Sequence, residues 1–133
     1  MTPEQFARRM REIGREIEPA ARNGTNRAAA LILATVIPAT PVDTGRARGN
    51  WQVSIGYPVT REIDRLDKTG SATRAQGEAQ MFSRAYGQSI YISNNVPYIG
   101  RLNEGYSAQA PAGFVEIAVR AAVGHLRNVR IVR

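Results

Sequence analysis

The chain has 133 residues, 43% of them hydrophobic, and a formal net charge of +7 at pH 7. This length suits one domain, expected over residues 1–133, with a hydrophobic core of its own. The chain contains no cysteine, which excludes disulfides, thiolate metal sites and cysteine nucleophiles. Its longest apolar run, residues 28–37, is too short to span a bilayer, so no membrane contact is expected.

Two helices are predicted in the first part of the chain. The first begins after Thr2, which forms a capping box with Gln5, and Pro19 is expected to end or kink it. Its apolar positions recur at steps of four, three and four residues: Phe6, Met10, Ile13 and Ile17. The second helix is predicted from about residue 19 or 25 to residue 37. Its later half is apolar nearly all round, as in helices buried in a core or between subunits.

A strand is predicted over residues 50–57, followed by an irregular segment. Four large apolar residues alternate in the strand with polar residues and glycine: Trp51, Val53, Ile55 and Tyr57. The charged stretch that follows has no periodicity. We interpret residues 58–72 as a mobile loop or an extended arm.

A third helix is predicted after this arm, with a second capping box formed by Thr73 and Gln76. Its apolar positions are expected to be Ala75, Ala79, Phe82 and Tyr86. A second strand is predicted over residues 89–93, where Ile90 and Ile92 share one face.

Turn signals divide the remainder of the chain. Asn94 and Asn95 are expected to form a turn before a short helix over residues 97–104, which Gly105 closes. Pro111 is predicted to open the last helix, and residues 129–132 a final short strand. The sum is an α+β fold, in which N-terminal helices and a C-terminal helix pack on a small, mostly antiparallel sheet.

Residues for catalysis are sparse. The only histidine, His125, lies near a predicted helix end and cannot form a metal cluster alone. No serine near it in sequence indicates a nucleophile–base pair, and no phosphate-binding glycine motif occurs. Asp64 and Asp67 lie in a polar stretch and are interpreted as solvated. No catalytic residue, metal site or cofactor is therefore predicted, and the chain is not expected to be an enzyme.

The basic residues are 17 arginines and one lysine, Lys68. Arginine binds carboxylates and phosphates with a planar fork of donors, so this bias favours an interface with nucleic acid or an acidic protein. An arginine-favouring genomic background explains it equally well. The clusters are Arg8, Arg9 and Arg11; Arg46 and Arg48; and Arg127, Arg130 and Arg133. No RNA-binding platform or recognition-helix motif accompanies them.

Two segments carry a more specific pattern. The first, residues 40–48, has the sequence TPVDTGRAR and leads from an apolar helix toward a strand. The second, residues 92–114, runs ISNNVPYIGRLNEGYSAQAPAGF and opens the last helix. In their order and spacing they resemble the tail-component family of long-tailed bacteriophages. Members of this family act as tail-completion or neck proteins, similar in role to the minor tail protein Z of phage lambda.

The motif residues have a local structural interpretation. The candidate turn and interface residues are Pro41, Val42, Asp43, Thr44, Gly45, Arg46, Arg48, Asn94, Asn95, Pro97, Tyr98, Glu104, Gly105, Pro111, Gly113 and Phe114. Turn and helix-start geometry accounts for most of them, and Gly45 is expected at a positive φ. Turn geometry does not require Arg46 and Arg48, so we expect them at a contact with another subunit, a partner protein or DNA.

The resemblance implies a structural virion protein that completes the tail top and helps join the tail to the head. It implies assembly in the host cytoplasm as a ring of copies, a hexamer. The expected partners are the tail terminator or tail tube protein, the head connector proteins and DNA in the lumen. The apolar second helix and the charged arm are candidates for the contacts between copies. The alternative is a small basic DNA-binding protein, whose duplex binding weakens steeply with salt.

Overall fold

The structure is a computed structural model that describes residues 2–85 and 87–126, except for the side chains of residues 7, 9–23, 125 and 126. The described elements are α1 (Pro3–Ala39), α2 (Arg46–Gly49), β1 (Trp51–Ile55), α3 (Ser71–Phe82), β2 (Ile90–Asn94), α4 (Ile99–Asn103) and α5 (Phe114–Leu126). This arrangement confirms the α+β fold class. Tyr86, the side chain of His125 and the strand expected over residues 129–132 lie outside the described residues.

The two helices predicted at the N-terminus are one helix, α1. The capping box is confirmed: the backbone N–H of Gln5 donates to Oγ1 of Thr2, and the backbone N–H of Thr2 donates to Oε1 of Gln5. The helical backbone continues through Pro19, so the prediction that the helix ends there is wrong, and a kink at Pro19 stays a prediction. Proline removes one hydrogen bond from the helix. The capping box at the N-terminal end and burial at the C-terminal end stabilise the remaining turns. Among the described residues, no helix combines the length and apolar character that crossing a membrane requires.

The C-terminal half of α1 forms the centre of the core. Side chains from α1, β1, α3 and α5 meet in one buried cluster: Ala29, Leu33, Val36, Ile37, Trp51, Met81 and Ala118. Leu33 is fully buried. The apolar second half of this helix therefore faces the core of its own chain, and α5 and α3 pack along it.

Two antiparallel strands make up the described sheet. Trp51 lies opposite Asn94, and Ile55 lies opposite Ile90. Trp51 and Val53 pack toward the core, as the alternation predicted. The strand is shorter than expected because the backbone turns at Gly56, which has φ +88°. Tyr57 beyond this turn is exposed, so its predicted place on the apolar face is wrong.

The buried face of α3 differs from the prediction. Ala75, Ala79 and Phe82 are exposed, and the buried residues are Thr73, Gly77 and Met81. The reason is a close approach at Gly77. A Cβ there would overlap a methyl group of Leu33 and lie 2.9 Å from Cγ2 of Val53. Because only glycine fits this position, it determines which side of α3 meets α1 and β1.

We expect Gly77→Ala to lower the free energy of unfolding by about 1–3 kcal/mol, since it overpacks a tight contact. The measurement is urea denaturation followed by circular dichroism. Gly124→Ala in α5 is the matched control, because a Cβ at that position would meet no atom within 4 Å. We expect the control to leave stability unchanged or raise it by up to about 1 kcal/mol. Equal stability of the two variants would contradict the assignment of Gly77 to the packing contact.

Candidate functional site

The two sequence motifs line opposite sides of one groove, called here the motif groove. The first motif contributes residues 41–47, and the second contributes Tyr98, Leu102, Ser107 and Gln109. The groove has a volume of about 410 Å³. Segments far apart in sequence therefore form a single surface feature.

A reciprocal pair of hydrogen bonds holds the motif groove together. The backbone N–H of Val42 donates to Oε1 of Gln109 over 2.9 Å, and Nε2 of Gln109 donates to the carbonyl of Val42 over 2.8 Å. A second hydrogen bond joins the two motifs: Nδ2 of Asn94 donates to the carbonyl of Ala47 over 2.9 Å. Gln109 lies inside the second motif but was not among the candidates, because only the folded chain shows its partner.

The first motif starts at a tightly bonded helix end. The Thr40 hydroxyl donates to the carbonyl of Val36 over 2.7 Å and accepts from Nε1 of Trp51 over 2.7 Å. Arg48 then binds three carbonyl oxygens: that of Thr40 at 2.7 Å, that of Pro38 at 3.1 Å and that of Lys68 at 2.7 Å. A helix leaves its last carbonyls without internal partners, and a cation there also suits the helix dipole.

Arg48 therefore has a structural role that the sequence did not indicate. The premise that turn geometry requires neither motif arginine is wrong for Arg48, because its guanidinium joins the end of α1 to the arm. Its expected contact with another subunit or partner stays a prediction.

The surroundings of Arg46 differ from those of Arg48. Its guanidinium forms an ion pair with Glu62, with Nη2 2.6 Å from Oε1, and lies 5.5 Å from the centre of the Tyr98 ring. The side chains of Arg46 and Glu62 remain 42% and 34% exposed. The hydrogen bond to Glu62 raises the pKa of Arg46 above its ordinary value. The pair orients a cation at the rim of the motif groove and leaves it accessible to a partner.

The arm passes behind the first motif. It contains no helix or strand before α3 begins at Ser71, and its expected mobility stays a prediction. The backbone N–H of Asp67 donates to the carbonyl of Gly45, and Nε of Arg65 donates to the carbonyl of Gly49. Gly45 has φ +91°, as predicted, and a Cβ there would lie 2.7 Å from the backbone nitrogens of Asp67 and Lys68.

A buried asparagine makes a further contact with the arm. Asn50 was placed on the polar face of the strand but is fully buried. Its Nδ2 donates to the carbonyl of Arg46, and its Oδ1 accepts from the backbone N–H of Ile63. Both ends of the amide are bonded, which compensates for its burial.

Asp67 caps α3 and is not solvated as expected, being only 9% exposed. Its carboxylate accepts hydrogen bonds from the backbone N–H groups of Thr73 and Gly70 and from the hydroxyl groups of Thr73 and Thr69. Thr73, predicted as the cap, lies inside the first turn of the helix. Burial raises the pKa of Asp67, but the hydrogen bonds from Thr73, Gly70 and Thr69 outweigh it and bring the pKa below its ordinary value.

The start of the second motif forms the expected turn. The backbone N–H of Val96 donates to Oδ1 of Asn94, and Nδ2 of Asn95 donates to the carbonyl of Val59 in the arm. Pro97 is exposed, and Tyr98, the N-cap residue of α4, lies beneath the Arg46 guanidinium.

The end of the second motif differs from the prediction at Pro111. Glu104 is exposed, and Gly105 follows α4 with φ +95°. The last helix begins at Phe114, which is buried, after Gly113 at φ +75°. Pro111 does not open it.

Asn103 holds the start of α5 instead. Its Oδ1 accepts from the backbone N–H of Val115 over 2.9 Å, and its Nδ2 donates to the carboxylate of Glu116 over 2.9 Å. This hydrogen bond to Asn103 lowers the pKa of Glu116. Sequence reasoning missed Asn103 because it precedes the helix by eleven residues, outside the usual capping distance.

No group of three or more histidine, aspartate or glutamate side chains in the described part of the chain is placed to hold a metal ion.

The chain was compared with models of protein families. The family described as "Bacteriophage HK97-gp10, putative tail-component" matches residues 4–116, which include the arm and both motifs. The chain belongs to this family. The predicted relationship to phage tail proteins is confirmed, and the protein is a tail component associated with the virion. No curated protein and no solved structure matched it.

The two motif arginines of this tail component should behave differently on substitution. We expect Arg48→Ala to lower the free energy of unfolding by about 2 kcal/mol or more, because charged hydrogen bonds to three carbonyls are lost. Arg46→Ala should leave the urea midpoint nearly unchanged, since exposed ion pairs contribute little. Urea denaturation of both variants beside the wild type is the test. Equal destabilisation by the two changes would contradict these roles.

The Asp67 carboxylate predicts a specific pH dependence. A pKa that is lowered by folding stabilises the protein above the pKa of the unfolded chain, and this stabilisation is lost as pH falls through the folded pKa. Asp67→Asn should therefore be less stable than the wild type at pH 7, with a difference that shrinks in acid. Denaturation measured from pH 7 to pH 2.5 checks this. Asp64→Asn, at an exposed position, is the control and should keep the wild-type profile.

Proposed function

We propose that this tail component completes the top of the tail and helps join it to the head, assembled as a ring of copies, a hexamer. The observation that carries the proposal is the convergence of both motifs on the motif groove. The groove is held by hydrogen bonds within the chain and presents an oriented, accessible Arg46. A tail terminator or tail tube protein and the head connector proteins are the proposed partners.

The chemistry of the motif groove supports a protein contact with an acidic group. Arg46 already binds the carboxylate of Glu62 at the groove rim. A carboxylate from a partner can replace Glu62 or join it, because arginine offers five donors. Tyr98 beneath the guanidinium adds apolar area, and aromatic residues and arginine are enriched at interface contacts that contribute most to binding.

The alternative as a small DNA-binding protein has less support. Among the described residues, the arginines bound to oxygen atoms of the chain itself include Arg46, Arg48, Arg65, Arg74 and Arg84. Part of the arginine excess therefore satisfies carbonyls and carboxylates within the fold. Duplex binding by the isolated protein that weakens steeply with salt would favour the alternative, and DNA in the lumen stays a proposal.

The test uses phage that carry a nonsense codon early in this gene. We expect electron microscopy of the lysates to show filled heads and detached or malformed tails. Wild-type protein supplied from a plasmid should restore infectious particles. Normal particles in the absence of the protein would overturn the proposed role.

Arg46→Glu supplied in the same way should reduce the yield of joined particles at least about tenfold, because reversing an interface charge weakens binding strongly. Arg74→Glu is the matched control. Arg74 is also an exposed arginine paired with a glutamate, Glu78, but it lies on α3 outside the motif groove. Equal joining by the two variants would show that the motif groove is not the contact.

A further inference from the structure

Glu62 lies in the arm and binds Arg46 at the rim of the motif groove. Its Oε2 accepts hydrogen bonds from Nε and Nη2 of Arg46 over 3.0 and 2.7 Å, and its Oε1 accepts from Nη2 over 2.6 Å. Glu62 therefore binds one edge of the guanidinium, the edge formed by Nε and Nη2. Because the guanidinium is planar and its five N–H donors have a fixed arrangement, holding one edge sets the direction of the other.

The other edge of this guanidinium, formed by Nη1 and Nη2, is open. No residue in the described part of the chain accepts a hydrogen bond from Nη1 of Arg46. The side chain is 42% exposed and lines the motif groove, with the Tyr98 ring centre 5.5 Å from Cζ. Arg46 thus has one edge bound within the chain and enough donors on the other edge for a second carboxylate.

The backbone is anchored on both sides of Glu62. The carbonyl of Arg61 accepts from Nε2 of Gln52 over 2.7 Å, and the backbone N–H of Ile63 donates to Oδ1 of the buried Asn50 over 2.7 Å. Displacing Glu62 would therefore leave two carboxylates close together with one of them unpaired, which repulsion between like charges disfavours. Binding at the open edge avoids this cost, because both carboxylates then keep hydrogen bonds to the same guanidinium.

We propose that Glu62 is a positioning residue of the motif groove. It holds the guanidinium of Arg46 so that the open edge binds a carboxylate of the partner protein, which joins Glu62 and does not replace it. This proposal rests on the proposed function and specifies how its partner is bound. The arm then acts on binding through Arg46.

The test is a double-mutant cycle on Arg46 and Glu62. Each variant is supplied from a plasmid to the nonsense phage, and joined particles are counted by electron microscopy. We expect Glu62→Ala to lower the yield of joined particles about threefold or more, in the range of coupling between contacting residues. Arg46→Ala and the double variant should give equally low yields, since Glu62 acts only through Arg46. Glu62→Gln keeps one acceptor oxygen and should restore part of the yield.

Glu78→Ala is the matched control. Like that of Glu62, the side chain of Glu78 is 34% exposed and paired with an arginine, but it lies on α3 outside the motif groove. The control should keep the wild-type yield. Every variant should keep the wild-type urea midpoint, because exposed ion pairs contribute little to stability. A midpoint that falls together with the yield in Glu62→Ala would show an effect on stability and overturn the proposal.

The isolated protein gives an independent measure of the orientation of Arg46. Its Nε–H is hydrogen-bonded to Glu62 and should exchange slowly with water, which gives an NMR signal that Arg46→Ala identifies by its loss. We expect Glu62→Ala to remove this signal while the backbone spectrum stays that of the wild type. A signal that persists without Glu62 would overturn the positioning role.

The outcomes separate this proposal from the proposed function. A higher yield with Glu62→Ala would show that Glu62 competes with the partner, and a double variant worse than Arg46→Ala would show that Glu62 binds the partner directly. Either result would overturn the positioning role and leave the proposed function standing. Normal particles from the nonsense phage would overturn the proposed function, and this proposal with it.

Discussion

The carbonyl oxygens at the end of α1 set the main constraint on this fold. A long helix ends next to the core with carbonyl acceptors that need donors, and Thr40 at this end is fully buried. Arg48 donates to the carbonyls of Thr40 and Pro38, and the Thr40 hydroxyl, which accepts from Nε1 of Trp51, donates to the carbonyl of Val36. Meeting this requirement brings the arm, β1 and the first motif to the same place. The motif groove is therefore built on a helix end at which the carbonyls of Val36, Ile37 and Pro38 are hydrogen-bonded.

This arrangement gives the excess of arginine a structural explanation. Arg48 donates to the carbonyl of Lys68 in the arm, and Arg65 in the arm donates to the carbonyl of Gly49 at the end of α2, so arginine side chains link a segment without regular structure to the rest of the fold. Guanidinium groups thus replace a third strand or another helix as the source of donors. A small fold with long connections can be held this way without disulfides. Net charge alone is then a weak indicator of nucleic-acid binding.

Local sequence patterns predicted the helices and strands. Contacts between residues far apart in sequence determined the features that were not predicted. The capping box at Thr2 and the alternation around Trp51 are local, and both were confirmed. The α3 stripe was wrong because its small apolar residues, Ala75 and Ala79, lie on the exposed face, and only the contact of Gly77 with Leu33 shows which face is buried. Asp67, Asn103 and Gln109 looked like ordinary polar loop residues, since their roles depend on the folded chain. The resemblance to the tail-component family identified the two motifs, but nothing in the sequence indicated the hydrogen bonds between them.

The hydrogen bonds between Val42 and Gln109 have a consequence for biosynthesis. They join residues 67 positions apart, so the motif groove cannot close until Gln109 has left the ribosome. Closing a loop of that length is among the slower steps of folding. A nascent or prematurely terminated chain, even with α1 and β1 formed, would lack half of the groove. Only chains translated beyond Gln109 can present both sides of this surface.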